Sequence, residues 1–196
     1  ANRPGTAELE FHIRHRADGG ASAHAARTLR IGDGVWIEGP LGDAWLRGDG
    51  DRPIVCLAGG SGLAPMKSIV EMALQNDPKR CVDLYFGGRD EGDVYLEAHF
   101  RALEARHQNF RYHVLLSEPG RGTSRRRGTV VDGLLADGAA QAIRAGRWAK
   151  AMAYAAGPPA MIRAAREALL ALGFGASNIY ADGFHPVPAP TSDVNS

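Results

Sequence analysis

The pattern of apolar and polar positions changes at about residue 53. Residues 54–58 form a continuous apolar run, typical of a parallel strand buried on both faces, and residues 65–74 follow with apolar positions at helical spacing. The pairing recurs, with predicted strands at 82–86, 110–116, 151–155 and 178–181 and predicted helices at 95–106, 130–145 and 160–172. Strands alternating with helices in this way predict an α/β fold built on a doubly wound parallel sheet.

The first fifty residues have a different pattern. Residues 9–16 alternate apolar and polar side chains, residues 22–29 have helical spacing, and residues 32–39 form a second strand-like stretch before a loop rich in Gly and Asp. This pattern predicts β-structure with little crossover helix, in a region too short to be a complete domain. We therefore expect a partial β-domain at 1–50, an α/β domain at 51–186 and a disordered tail at 187–196.

Composition narrows the classes of function. Hydrophobic residues make up 44% of the 196, enough for an ordinary soluble core, and 23 Lys and Arg against 22 Asp and Glu give a formal net charge of +1. A charge so balanced creates no field that would attract nucleic acid or an anionic membrane. No apolar run approaches the ~20 residues of a membrane span and the start lacks a signal pattern, so we expect a cytoplasmic protein.

Cysteine and histidine residues form no metal-site pattern. Cys56 and Cys81 lie in apolar segments and are expected to be buried thiols in a reducing compartment. Because an iron–sulfur cluster usually needs four thiolates, this chain is not expected to hold one by itself. The seven histidines are scattered without metal-ligand spacing. We expect neither a metal site nor a catalytic nucleophile, acid or base.

The strongest local signal is the turn that follows the first buried strand. The sequence IVCLAGGSGLAPM passes directly from the strand into Gly59, Gly60, Ser61 and Gly62, and then into a helix with Pro65 in its first turn. Glycines allow a sharp turn and close approach of a ligand, and the free N–H groups at the helix start favour a phosphate. The turn predicts a diphosphate-binding loop, although the usual third glycine is replaced by Pro65. A purely structural turn is the alternative.

A second turn of this kind, AAGPPAM, lies between another predicted strand and helix. Gly157 followed by Pro158 and Pro159 fixes a rigid loop at the carboxyl end of the strand, the edge where open α/β sheets bind ligands. A helix-starting turn without a ligand is the alternative. Because both turns lie at the same predicted sheet edge, we expect them to line one cleft.

Five motifs together resemble one known family. GGSGLAPM, LYFGGRDEGDVY, HVLLSEP, AAGPPAM and YADGF occur in the order and spacing of the ferredoxin–NADP reductase superfamily. Within it, the chain is most similar to the reductase components of bacterial aromatic-ring oxygenases and phenol hydroxylases. The resemblance covers nearly all of residues 1–186. It implies an antiparallel FAD-binding barrel, of which residues 1–50 are the last part, followed by a nicotinamide-binding domain at 51–186.

On the flavin side, the resemblance implies a strand along the ring system and a turn at the FAD diphosphate. The strand residues are His12, Ile13 and Arg14, and the turn residues are Gly20, Ala21 and Ser22. Without the resemblance, these stretches are a half-exposed strand and a hairpin turn. Phe184 matches an aromatic residue beside the flavin, with a hydrophobic anchor as the alternative. Since most of the barrel is absent, the FAD site is expected to be incomplete in this chain.

On the nicotinamide side, the resemblance implies that both turns hold NAD(P)H. The residues are Gly60, Ser61, Gly62, Leu63, Ala64 and Pro65 in the first turn and Gly157, Pro158, Pro159 and Met161 in the second. Arg89 matches a position near the adenosine, with a solvated arginine as the alternative. Family members often have Cys where this chain has Ala156. We expect a left-handed backbone at Gly62, so that valine there weakens NADH binding and leaves the fold intact.

The choice between NAD and NADP depends on Ser117 and Glu118. Relatives that use NADP place an arginine after this serine, whereas a carboxylate at Glu118 repels a 2′-phosphate and accepts hydrogen bonds from a free ribose hydroxyl. The sequence therefore favours NAD(H). Three arginines downstream, Arg125, Arg126 and Arg127, are an alternative source of positive charge, with a solvated turn as the simpler interpretation.

The resemblance implies an oxidoreductase that passes hydride from NADH to FAD and then electrons to an iron–sulfur or oxygenase partner. Hydride transfer needs no protein nucleophile because the two cofactors supply the chemistry. A non-catalytic dinucleotide-binding or docking module that has lost its flavin site is the alternative. A small-molecule transferase is a third possibility, for which the sequence offers no strong catalytic acid or base.

Overall fold

The central element is a sheet of six parallel strands. The computed structural model describes residues 1–15, 20–48, 50–137, 141–143, 145–146 and 150–184. The strands are β1 (Ile54–Gly59), β2 (Val82–Gly88), β3 (Phe110–Leu116), β4 (Arg126–Arg127), β5 (Met152–Gly157) and β6 (Ile179–Gly183). Their order across the sheet is β4-β3-β2-β1-β5-β6. The predicted parallel sheet is confirmed.

Helices cover both faces of this sheet. Helix α1 (Gly20–Arg27) has no buried residue, and the helices on the sheet are α2 (Leu63–Asn76), α3 (Glu97–Arg106), α4 (Val130–Ala136) and α5 (Pro159–Ala171). Short 3₁₀ turns lie at Gly60–Gly62, Glu91–Asp93 and Ala176–Asn178. One core cluster joins the sheet to α2 and α3 through Met66 and Phe100. The other joins it to α4 and α5 through Leu134 and Leu169. The sheet is therefore doubly wound, as the sequence predicts.

The central strand β1 explains the continuous apolar run. Ile54, Cys56 and Ala58 belong to one core cluster, and Val55 and Leu57 belong to the other, so alternate side chains are buried on opposite faces. The strand order reverses at β1, with β2, β3 and β4 on one side and β5 and β6 on the other. A crevice opens at the carboxyl ends of the strands at such a reversal point, and it is the usual ligand site of open α/β sheets.

The prediction of two strands near the N-terminus is wrong. The described residues of 9–16 and 32–39 form no strand, whereas α1 confirms the helix predicted at 22–29. An extended segment becomes a strand only when a neighbour completes its hydrogen-bond ladder, and residues 10–14 instead contact the α/β domain through their side chains. The partial antiparallel barrel is not formed by the described residues and stays a prediction.

Smaller differences concern short elements and ends. The sequence pattern misses β4 because that strand has only two residues, both exposed. Helix α4 begins at a capping box formed by Thr129 and Asp132 and ends at Ala136, and residues 141–143 are helical again within the predicted region of 130–145. Cys56 is buried as expected, but Cys81 is partly exposed. The tail predicted at 187–196 lies outside the described residues, and the domain boundaries stay predictions.

Within the part of the chain that the structure describes, no helix is long and apolar enough to cross a bilayer.

Candidate functional site

The two glycine turns meet at the reversal point of the sheet. They follow β1 and β5, which are neighbours with Ala58 paired to Ala156. A Cβ atom on Gly59 would lie 2.7 Å from Met161 Sδ and 3.0 Å from Pro158 Cδ, and one on Gly157 would lie 3.1 Å from the Gly59 nitrogen. Both positions therefore require glycine, because the turns pack against each other without room for a side chain.

The conformations of Gly60 and Gly62 correct one expectation. Gly60 has a left-handed backbone with φ of +55°, whereas Gly62 has φ of −61° in the ordinary helical region. A Cβ on Gly62 would overlap the carbonyl oxygen of Ala156 and lie 2.9 Å from the nitrogen of Gly157. The expectation that valine at Gly62 leaves the fold intact is therefore wrong, because this glycine allows the turn to pack on the end of β5.

Helix α2 begins directly after the first turn. Its first residue, Leu63, is fully buried, and its N–H already donates to the carbonyls of Gly60 and Ser61, so Leu63 itself is not open to a ligand. Ala64 and Pro65 follow in the first helical turn. The unpaired N–H groups and the positive end of the helix dipole at this terminus favour an anionic group in the turn.

A cleft of about 260 Å³ opens between the two turns and the ends of β2 and β3. Six of the predicted site residues line it: Arg14, Gly60, Arg89, Ser117, Pro158 and Met161. The lining also includes residues that the sequence interpretation misses, Gly87 and Gly88 at the end of β2 and Gly128 and Thr129 before α4. Gly87 and Gly88 could have been found from the sequence, because they form a pair of glycines at the carboxyl end of a predicted parallel strand.

The chain after β3 lies beside the end of β2. The N–H of Ser117 donates to the Gly88 carbonyl at 3.0 Å, and the N–H of Glu118 donates to the Arg89 carbonyl at 2.7 Å. The hydrogen bond with Asp93 raises the pKa of the Arg89 guanidinium most, and the nearby Glu118 carboxylate adds to this effect. The structure thus brings Arg89, Ser117 and Glu118 together, and of these Arg89 and Ser117 line the cleft whereas Glu118 does not.

Two of the three downstream arginines are already paired with carboxylates. Arg125 binds Glu97 through both terminal nitrogens at 2.7 and 3.0 Å and binds Glu91 through Nε at 2.5 Å. Hydrogen bonds to Glu97, and then to Glu91, raise the pKa of Arg125 above its ordinary value. Arg126 binds both oxygens of Asp137 at 2.7 and 2.8 Å.

The segment before residue 15 contacts the α/β domain through alternate side chains. Glu10 accepts from Lys67 Nζ at 2.8 Å, His12 lies 3.1 Å from the Tyr95 hydroxyl, and Arg14 pairs with Asp93 at 2.7 Å. Hydrogen bonds from Lys67 and His12 lower the pKa of Glu10 to about 2. These polar contacts hold the segment on the domain.

A second cavity, of about 500 Å³, lies between this segment and the α/β domain. His12, Ile13 and Ser61 line it, and the residues that it shares with the smaller cleft are Arg14, Gly60 and Asp93. The apolar side chains of Leu9, Phe11 and Ile13 on the segment are all more than half exposed. The two cavities are therefore neighbours, and the larger one has an apolar side.

The remaining predicted flavin-side residues are placed differently from one another. Gly20, Ala21 and Ser22 form the first turn of α1, not a hairpin, and they line neither of these two cavities. Phe184 follows β6 directly and its N–H donates to the Gly157 carbonyl at 2.9 Å, with 42% of the residue exposed. The structure brings Phe184 to the second glycine turn and leaves residues 20–22 apart.

Comparison with protein families gives one match that covers most of the α/β domain. Residues 56–167 match the family described as oxidoreductase NAD-binding domain. The match includes the first glycine turn, the segment with Ser117 and Glu118, and the second glycine turn.

Two curated relatives are similar over nearly the whole chain. A ferredoxin–NAD(P)+ reductase component of naphthalene 1,2-dioxygenase/salicylate 5-hydroxylase systems from Ralstonia sp. is 38% identical over 95% of this chain and 55% of its own length. The reductase component of phenol 2-monooxygenase from Pseudomonas sp. is 31% identical over 91% of this chain and 49% of its own. The chain thus spans about half the length of the curated relatives it matches.

A solved structure has the same arrangement. A cytochrome P450 reductase from Amycolatopsis superposes with a TM-score of 0.78 at 31% identity, over 89% of this chain and 51% of the other. The comparison of sequences and the comparison of structures therefore both match this chain to reductases.

Proposed function

Because the chain belongs to the oxidoreductase NAD-binding domain family, we propose that it binds a nicotinamide dinucleotide between its two glycine turns and takes part in hydride transfer from that cofactor to FAD. One observation supports this most strongly: the turns after β1 and β5 pack on each other where the strand order reverses. The relatives named as ferredoxin reductase components support the same class of reaction.

The residues of the smaller cleft fit a dinucleotide. Gly60 exposes its backbone with no side chain, next to the start of α2, and suits a diphosphate. Pro158 and Met161 provide an apolar wall for a flat ring. The nicotinamide supplies the hydride, whereas Pro158, Met161 and the Gly60 turn bind and orient the cofactor and limit the access of water.

The preference for NADH over NADPH follows from the charges at the outer end of the cleft. Glu118 presents a carboxylate beside Ser117, where a 2′-phosphate would be repelled. Two of the three downstream arginines that would offset that repulsion, Arg125 and Arg126, are occupied by carboxylates. We therefore assign NADH as the preferred cofactor.

The larger cavity is the candidate site for the flavin ring. It shares Arg14 and Gly60 with the smaller cleft, so ligands in the two cavities would be adjacent, as hydride transfer requires. His12 is fixed by Glu10 and Tyr95, and its neighbour Ile13 adds apolar surface. Phe11 and Tyr95 are aromatic residues that line this cavity, whereas Phe184 lies at the second glycine turn and does not line it.

We propose that the electrons pass to an iron–sulfur or oxygenase partner, because the relatives are named as reductase components of dioxygenase/hydroxylase and monooxygenase systems. The cytoplasm is the proposed location. The competing proposal is a docking module that binds NADH and transfers no hydride. The two proposals differ in what happens to a bound flavin, because only a reductase would reduce it.

Anaerobic addition of NADH to the protein mixed with an excess of FAD should test this directly. We expect the yellow flavin absorption to disappear as NADH is oxidised, in equal molar amounts, and to return when oxygen is admitted. Binding of NADH with no loss of flavin absorption would favour the docking module. A protein that binds no NADH would contradict both proposals.

A further inference from the structure

Asp93 stands where the two cavities meet, and it binds two arginines from different parts of the chain. Its Oδ1 accepts from Arg14 Nη2 at 2.7 Å, and its Oδ2 accepts from the backbone N–H and the Nε of Arg89 at 2.9 and 3.2 Å. The Asp93 side chain is 11% exposed, whereas those of Arg14 and Arg89 are 50% and 64% exposed. Each carboxylate oxygen is thus used by a different arginine.

The backbone around Asp93 fixes the position of this carboxylate. A Cβ on Gly88 would lie 3.0 Å from Asp93 Cβ, so the end of β2 approaches Asp93 as closely as glycine allows. In the same 3₁₀ turn, Asp90 accepts from the Gly92 N–H at 2.9 Å and closes the turn. Burial acts to raise the pKa of Asp93, but the hydrogen bonds from Arg89 and the charge of Arg14 outweigh it and lower the pKa.

The contact with Asp93 places the Arg14 guanidinium beside the first glycine turn. Arg14 Nη1 would lie 3.6 Å from a Cβ on Gly60, and Arg14 lines both cavities. A half-exposed arginine without a partner samples many rotamers and loses side-chain entropy when a ligand fixes it. The contact with Asp93 limits these rotamers before the ligand binds. Exposed ion pairs contribute little to the stability of the fold. The main consequence of the Arg14–Asp93 pair is therefore the position that it gives to the Arg14 charge.

We propose that Asp93 is a positioning residue for dinucleotide binding, which holds the Arg14 guanidinium next to the Gly60 turn so that Arg14 meets the cofactor diphosphate. The inference rests on the proposed function of the smaller cleft. Asp93 carries a negative charge and does not itself contact the diphosphate. Removal of the Asp93 charge alone would strengthen the binding of an anionic ligand. Loss of the Arg14 position weakens that binding, and we expect this second effect to be the larger.

The test is a double-mutant cycle with NADH titrated into the 196-residue chain. Asp93→Asn should weaken NADH binding about ten-fold, the scale of one hydrogen bond to a charged group, and should weaken ADP-ribose binding equally because that ligand keeps the diphosphate. Arg14→Gln, at a half-exposed residue, should show the same loss. In the Arg14→Gln background, Asp93→Asn should change the dissociation constant by less than about two-fold.

Asp90→Asn is the matched control because it makes the same change of charge in the same turn and keeps an oxygen for Gly92. It should leave NADH affinity unchanged. Unchanged or tighter binding by Asp93→Asn would overturn the inference, as would an equal loss in both backgrounds or a loss for NADH without one for ADP-ribose. If the unsubstituted chain binds no NADH, the proposed function fails and the inference fails with it.

Discussion

Valine at position 62 will unfold or strongly destabilise the α/β domain. A Cβ on Gly62 would overlap the carbonyl oxygen of Ala156, a backbone atom in the central part of the sheet that cannot move aside as a side chain can. Overpacking of this kind costs about 3 kcal/mol or more when the obstructing atom is fixed. Thermal unfolding followed by circular dichroism should show a large decrease in Tm or no cooperative transition.

Gly120→Val is the matched control for this change. Gly120 has no heavy atom within 4 Å of an added Cβ and its φ lies outside the left-handed region, so this variant should unfold at nearly the temperature of the unsubstituted chain. A Gly62→Val chain with unchanged Tm and weakened NADH binding would instead restore the sequence-based interpretation of Gly62 as a ligand contact.

Arginine at position 118 will shift the cofactor preference toward NADPH. Glu118 follows Ser117, which lines the cleft, and under the proposed binding mode its carboxylate would repel a 2′-phosphate. Replacement of a repulsive charge by one that forms a charge-assisted hydrogen bond is worth about 2 kcal/mol, or roughly 30-fold in the ratio of the two dissociation constants. Titrations of the variant with NADH and NADPH measure this ratio.

Glu118→Gln separates the two parts of the effect. It removes the repulsion without adding a cation, so it should move the ratio in the same direction by a smaller factor. A ratio that stays constant in both variants would mean that the 2′ position of the ribose lies away from Glu118.

The α/β part of the fold was predictable because burial determines the pattern of its strands and helices. Both faces of β1 are covered, so Ile54 to Ala58 had to be apolar without alternation, and the order of the later elements followed. The two turns were predictable as one cleft because parallel strands end at a common edge. Local pattern and tertiary structure agree for β1, β2, β3, β5 and β6, whereas the two-residue β4 gave no pattern to read.

The N-terminal segment was less predictable because alternation alone does not specify a partner. Residues 9–15 alternate as a strand would, yet their polar side chains contact Lys67, Tyr95 and Asp93 across long separations in sequence. Nothing in the local sequence indicates such contacts. Asp93 was missed for the same reason. An aspartate in an acidic loop is expected to be solvated, and only the structure shows its contacts with Arg14 and Arg89.

The roles of Gly60 and Gly62 could not be separated from sequence, because both lie in one glycine-rich turn and either could have had the left-handed backbone. The structure gives that backbone to Gly60 and the close packing to Gly62. Backbone conformation at single residues depends on what packs against the turn, which here is the end of β5.

Mapping NADH onto the chain tests most directly the proposal that the two glycine turns form a nicotinamide dinucleotide site. Backbone amide shifts of the isotopically labelled protein, recorded by NMR during a titration with NADH, report which residues contact the ligand. We expect the largest saturable shifts at Gly60, Ser61 and Gly62, at Gly157 and Met161, and smaller ones at Ser117 and Glu118. Shifts confined to other parts of the chain, or no saturable shift at all, would contradict the account.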